Sequence, residues 1–303
     1  MSDSLTIKLG VAPIAWSNSD LPELGGETSL EQCLAESRQA GYIGVESGIK
    51  FPMDPNILAP DLQRFGLQLV SGWFSGELLG GDVNREIDRV QTQLDTFLAL
   101  GAPVLIYGET FGSVQTKRDV PIRNRPRLKP QDWPAYGKRL TQFADALAVR
   151  GMPVSFHPHM GTAVENDRDI ENLMEHTGDS VGLLLDTGHI TYAGGDIQKI
   201  IDVHHTRINH VHFKDVRADV LDTARKENMS FLDSVLAGVF TVPGDGMISF
   251  INVVAELHKH GYQGWGVVEA EQDPVMAPPF EYAQLGYRYL HKILRAAGYE
   301  ITA

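Results

Sequence analysis

The 303-residue chain carries 26 Lys plus Arg against 39 Asp plus Glu, a formal net charge of −13, and is 43% apolar. That balance repels phosphodiester backbones and anionic lipid, which argues against nucleic acid and membrane surfaces as partners and leaves carboxylates in surplus for cations. The single cysteine, Cys33, excludes an internal disulfide; Met1 to Gly10 lacks the basic opening and apolar run of an export signal, so a cytoplasmic protein is expected.

Short β-branched runs alternate with longer amphipathic ones. Ile7 to Ala12 reads as a strand, Ser29 to Ala40 as a helix, Tyr42 to Glu46 as the next strand, with a weak helix near Pro60 to Phe65. Strand three spans Leu67 to Ser71 and is followed by a long amphipathic helix, Asn84 to Leu100. Val104 to Tyr107 pairs with Trp133 to Arg150, Val154 to Phe156 with Asp167 to His176, and Val181 to Leu185 with Ile197 to Val203. Ile208 to Phe213 pairs with Phe250 to His260, and Gly266 to Glu269 with Glu281 to Ala297. Strands alternating with helical stretches predict parallel β-α-β units, and an apolar run such as Gly182-Leu-Leu-Leu-Asp186 suits a strand covered on both faces. Eight such pairs without a linker favour one closed (β/α)₈ barrel, an α/β TIM-barrel domain over residues 1–303. Two connections are long, Glu109 to Asp132 and Lys214 to Met247. The second holds an expected short helix, Met229 to Ala237, and the turn Pro243-Gly-Asp-Gly246; both are candidate substrate walls.

Polar residues recur at the strand ends, the face where a parallel barrel assembles its site. They are Trp16, Glu46, Trp73, Tyr107 with Glu109, His157 with His159, Asp186 with His189, His210-Val-His212-Phe-Lys214-Asp215, and Glu269 with Glu271. Residues two apart on a strand share a face, so His157 and His159 point one way, either as two ligands or as one ligand and one packed ring. Asp186, closing an apolar strand, needs a partner: a metal or the start of a helix. His189 is expected on a loop, within reach of substrate or metal. His212, nearest its strand end, is the better ligand and His210 the structural one. Lys214 either polarises a carbonyl or pairs with a carboxylate such as Asp215. Glu269 is the better-placed ligand of its pair, and Glu271 is exposed or paired. Asp, His and Glu donors with His157 as a fourth suit a borderline divalent metal rather than Ca²⁺, and no Cys contributes. No dinucleotide or Walker glycine motif and no nucleophile elbow is present.

Asp186-Thr-Gly-His189, His210-Val-His212-Phe-Lys-Asp215 and Gly264-Trp-Gly-Val-Val-Glu269 resemble the xylose isomerase and endonuclease IV superfamily of TIM barrels. Longer stretches resemble the inosose dehydratases within it: Ala12-Pro-Ile-Ala-Trp16, Asp20-Leu-Pro-Glu-Leu-Gly-Gly26, Gly72-Trp-Phe-Ser-Gly-Glu77, His159-Met-Gly-Thr162, Phe231 to Gly246, and Glu269-Ala-Glu-Gln-Asp-Pro274. The resemblance implies metal-assisted dehydration of 2-keto-myo-inositol (scyllo-inosose) to a trihydroxycyclohexane-dione. It implies Mn²⁺ or Co²⁺, an association with glutathione, and ligands at His157, Asp186, His212 and Glu269. Many superfamily members carry Glu where this chain has His157. Glu271, Glu269, His159 and Lys214 are the acid/base candidates, while Trp16, Glu46, Trp73 and His189 are expected to meet the substrate. A ketose isomerase or 3-epimerase of the same superfamily is the nearest alternative. A basic-grooved endonuclease fits poorly with the −13 charge, and a non-catalytic polyol binder fits poorly with four metal-competent positions. A small polyol ketone is the expected partner, and a homo-oligomer is left open.

Overall fold

The computed structural model describes residues 4–302, so the extreme ends of the expected domain lie outside the described residues. The strands, in chain order, are β1 (Thr6–Val11), β2 (Gly44–Ser47), β3 (Gln68–Gly76), β4 (Leu105–Glu109), β5 (Val154–Phe156), β6 (Val181–Asp186), β7 (Ile208–Phe213), β8 (Asp215–Val216), β9 (Phe240–Thr241), β10 (Gly264–Val268) and β11 (Glu300–Thr302). The first seven and β10 form a parallel sheet in sequential order. β10 then pairs back onto β1, from Ile7 opposite Gly264 to Val11 opposite Val268, which closes the barrel. The eight-strand, single-barrel reading is therefore correct. β11 was not anticipated; it adds to the outside of β1 through Thr6 to Lys8.

Each barrel strand has two faces. Leu183 and Leu185 of β6, Val211 and Phe213 of β7, and Val268 of β10 point outward and join the main core under the helices. The intervening residues point inward. There, Ile43, Val70, Trp265 and Val267 form one small apolar cluster, and Val104, Ile106 and Leu184 form another. Above these, toward the carboxyl ends, the inward positions become ionisable.

The helices cover this sheet for reasons that are mostly local. Asp82 accepts from the Arg85 amide to start Val83–Leu100, Gly101 ends it at φ 72°, and Val90, Leu94 and Phe97 form its buried stripe. The helix expected near Pro60 begins earlier, at Pro55. Asp54 caps it, and a proline in the first turn sacrifices no hydrogen bond. β3 runs on to Gly76, past the expected end at Ser71, because Trp73 to Gly76 pair with Ile106 to Glu109.

The two long connections pack on each other. Pro121 bridges Ser230, the Ile122 amide donates to the Met229 carbonyl at 3.3 Å, and Arg118 pairs with Asp233 at 2.8 Å. The second connection contains the expected helix as Phe231–Leu236 and an unexpected one, Ala218–Glu227. With Leu21, Met160 and Phe240 these segments build a second, smaller core that caps one side of the barrel mouth. Among the described residues no helix is long and apolar enough to cross a membrane.

Candidate metal centre

β5, β6, β7 and β10 deliver His157, Asp186, His212 and Glu269 to one spot, each as the residue at or just past the end of an inward-facing run. His157 Nε2 is 3.4 Å and His212 Nδ1 is 3.5 Å from Asp186 Oδ2, and Glu269 Oε2 lies against His212 Nδ1. All four side chains are buried. Both ring nitrogens of His157, Asp186 Oδ2, His212 Nδ1 and Glu269 Oε2 make no hydrogen bond of regular geometry among the described residues, although several of them crowd one another and Lys214. Buried polar atoms are almost always paired, so this convergence of orphans is the signature of a missing common partner. Three of the four, His157, Asp186 and His212, present donor atoms within 4.8 Å of one another. Electrostatics agree: burial opposes charging His212, yet Glu46 and Glu269 hold its pKa well above the ordinary histidine value. The site calls for positive charge, and mixed imidazole and carboxylate donors suit a borderline divalent cation.

Neighbouring residues orient these donors. Asp186 uses its other oxygen, Oδ1, to accept from the His189 amide at 2.9 Å and cap the short helix Thr187–Tyr192. The helix cap expected of Asp186 is thus made by Oδ1, which leaves Oδ2 facing His157 and His212. Gly188 is required there, because a Cβ would come within 2.5 Å of the Lys214 stem. Glu46 lies beneath the mouth, where Ser71, His210 (2.9 Å) and His212 (3.0 Å) converge on its Oε1. Burial works against its charge, but His212 and His210 keep Glu46 below the usual carboxylate range. Glu46, expected to meet the substrate, holds His212 and His210 through Oε1 and also lines a small cavity with Trp73, His157, His212 and Glu269.

Lys214 is fully buried. Its Nζ lies 2.8 Å from Glu271 Oε1, 3.0 Å from His189 Nε2, and 3.4 Å from both Asp186 Oδ2 and Glu269 Oε2. Burial opposes the ammonium, but Asp186, Glu269 and Glu271 outweigh it and raise its pKa. Asp215, the other partner considered for Lys214, turns away and accepts from the Val216, Gly244, Gly246 and Ile248 amides, which secures the Pro243 to Gly246 turn. Glu271 is buried against Lys214 rather than exposed. His159 donates its Nδ1–H to the Met160 carbonyl, 2.9 Å away, and burial pulls its pKa down to about 4.

A cavity of about 570 Å³ opens above this centre, lined by His157, His159, Glu269, Glu271 and Trp73, among others. Trp73 stands edge-on to His157 and His159, and Gly108 leaves room for it, since a Cβ there would lie 1.8 Å from the indole. Two expected substrate contacts are corrected. The 3₁₀ turn Pro13–Ala15 swings Trp16 outward, so its Nε1 donates to Glu36 at 2.6 Å and the ring joins the main core. His189 sits on a helix rather than a loop and faces Lys214, behind the cavity wall. Tyr107 and Glu109, also strand-end candidates, bond each other at 2.9 Å on the outer side of the barrel. The sequence reading missed Asp20 and Gln115 in the cavity wall. The polar run Ser17-Asn-Ser-Asp20 after the first strand was the available signal for the former; Gln115 had none.

Residues 34–299 match the xylose isomerase-like TIM barrel family. The chain belongs to this family. Its relatives include the rhizopine catabolism protein MocC of Rhizobium meliloti, 46% identical over 99% of this chain and 92% of that protein. The inosose dehydratase of Geobacillus thermodenitrificans is 42% identical over 94% of this chain and 97% of that protein. Among solved structures, an L-ribulose 3-epimerase superposes with a TM-score of 0.70 at 16% identity, covering 96% of each chain. The probable 3-DHS dehydratase AsbF of Bacillus anthracis does so at 0.69 and 13%, covering 94% of this chain and 98% of that one. At those identities the structural likeness speaks for the xylose isomerase-like fold alone.

Proposed function

We propose that this barrel is an inosose dehydratase, a hydro-lyase that converts scyllo-inosose to 3D-trihydroxycyclohexane-1,2-dione and water in myo-inositol breakdown. The observation that carries the reading is the set of orphaned buried donors on His157, Asp186, His212 and Glu269, beside a Lys214–Glu271 pair in one cavity. It is joined by 42% identity to an inosose dehydratase over nearly the whole chain. The isomerase or epimerase alternative has only fold-level likeness, such as 16% identity to an L-ribulose 3-epimerase.

In this reading His157, Asp186, His212 and Glu269 hold the cation, Mn²⁺ or Co²⁺. When bound, the cation supplies Lewis acidity toward the ketone oxygen and so acidifies the neighbouring C–H. Glu271 takes the α-proton, and the C–H electron pair enters the new C=C bond. The β C–O pair leaves with its oxygen, which receives a proton from the Lys214 ammonium, and water departs. The resulting enol closes to the second ketone. Lys214 then recovers a proton from Glu271, its 2.8 Å neighbour, so the pair ends as it began. His159 accepts a hydrogen bond from a ring hydroxyl, and Trp73 covers the ring. The enzyme works in the cytoplasm.

The test is to incubate metal-replete and chelated protein with scyllo-inosose, with and without glutathione, and follow dione absorbance and product identity. Dione formation that depends on the metal supports the reading; an epimer, or no product from the replete protein, overturns it. The 46% identity to a rhizopine catabolism protein favours a second reading, in which the physiological polyol ketone arises in rhizopine breakdown. Relative kcat/KM for the two ketones decides between them.

A further inference from the structure

The cation and the Lys214–Glu271 pair account for the reacting end of a substrate and leave the opposite end of the ring without partners. A six-membered polyol ketone carries a hydroxyl on every carbon but one, and each buried O–H needs an acceptor. Several polar groups in the cavity wall are already engaged. Glu271 accepts from Lys214, Ser75 accepts from the Trp73 indole, and His159 is tied to Met160 through Nδ1. Beyond Glu269 Oε2 and Glu271 Oε2, which sit beside Lys214, two further acceptors stand open, Asp20 and Gln115. No hydrogen bond or ion pair reaches the Asp20 carboxylate among the described residues. The Oε1 of Gln115, a residue only 5% exposed, is buried without a partner.

Neither residue is there by looseness of a loop. Asn18 Oδ1 accepts from the amides of Asp20 (2.8 Å) and Leu21 (2.9 Å), and Leu21 is anchored in the second core. Gly25 lets that loop fold back on itself, since at φ 72° a Cβ would overlap the Trp16 carbonyl. Gln115 is held by the Val114 amide, which donates to the Gly161 carbonyl at 2.9 Å, and Gly161 permits the close approach because a Cβ would lie 3.0 Å from the Gln115 nitrogen. Two segments far apart in the chain thus each fix one unspent acceptor in the wall of the same cavity.

We infer that Asp20 and Gln115 form a hydroxyl clamp that accepts hydrogen bonds from the ring hydroxyls remote from the ketone, and that this clamp selects polyhydroxylated rings over deoxygenated ones. The inference rests on the polyol-ketone reading above. A site built to hydrogen-bond a substrate hydroxyl rejects the analogue lacking it, because a buried acceptor such as Gln115 Oε1 is then left unpaired.

The experiment compares wild type, Asp20→Ala and Gln115→Leu on scyllo-inosose and on 2,3-dihydroxycyclohexanone, which keeps the ketone and the departing hydroxyl but lacks the remote ones. Metal content and Tm are measured in parallel. Each variant should lose roughly 10- to 100-fold in kcat/KM on scyllo-inosose and less than about 2-fold on the analogue, with metal content unchanged. Equal losses on both compounds, or no loss on scyllo-inosose, overturn the clamp. Calorimetric binding of scyllo-inosose provides a readout without turnover. Wild type that binds but does not dehydrate defeats the dehydratase reading while the variants' Kd values still judge the clamp. Wild type that does not bind defeats both.

Discussion

Strand β7 places two regions of the molecule side by side. Its outward residues, Val211 and Phe213, are buried among helices in the main core; its inward residues, His210 and His212, are equally buried yet surrounded by Glu46, Asp186 and Glu269. The outer face gains stability from apolar burial, a term that any well-fitting side chain supplies. The inner face concentrates groups that are costly to bury unless each finds a counter-charge, and several of its donor atoms make no hydrogen bond among the described residues. The same alternation of a strand thus assigns stability to one side and chemistry to the other.

The sharpest way to break this comparison is to substitute across it. Asp186→Ala should abolish tight metal binding and lower turnover by about 10³-fold or more, the worth of several kcal/mol of Lewis-acid stabilisation, while circular dichroism stays native. Full metal content in that variant would remove Asp186 from the ligand set. Phe213→Ala should do the reverse: a loss of about 3–5 kcal/mol in denaturant unfolding, with metal stoichiometry retained in the folded fraction. Glu46→Gln tests the intermediate case of a residue that holds His212, a proposed ligand, through Oε1. It should weaken metal affinity roughly 10- to 100-fold, as measured by competition with a chelator, and leave stoichiometry at saturation unchanged.

The smallest effect concerns Glu109, an ionisable group on the stability side. Burial lifts its pKa from 4.5 to about 7 despite hydrogen bonds from Tyr107, Phe111 and Leu79. The folded chain therefore holds this proton more tightly than the unfolded chain. Its contribution is fully present below the unfolded value and is lost as pH rises through the folded one. In Glu109→Gln that loss disappears. The Tm difference between variant and wild type should move in the variant's favour by about 2–4 °C between mildly acidic and mildly alkaline buffer. A pH-independent difference would show that Glu109 titrates normally.

Where residues spoke for themselves, the sequence was readable. The alternation in Gly182-Leu-Leu-Leu-Asp186 and His210-Val-His212-Phe-Lys214 already states which side chains share a face, because the strand period is two whatever surrounds it. Eight strand–helix pairs and their acidic and histidine-bearing ends follow from the same local rule, whereas the ligand set His157, Asp186, His212 and Glu269 is what the resemblance to the superfamily implies. Tertiary structure alone decided what happens once the chain leaves a strand. A single 3₁₀ turn sends Trp16 outward to Glu36. Contacts across the barrel from residues more than a hundred positions away make Glu46 a support for His212. Closure of two remote loops brings Asp20 and Gln115 to the cavity. Direction within a strand is set by neighbours in sequence, whereas direction in a loop, and the partner a charge finds, are set by neighbours in space.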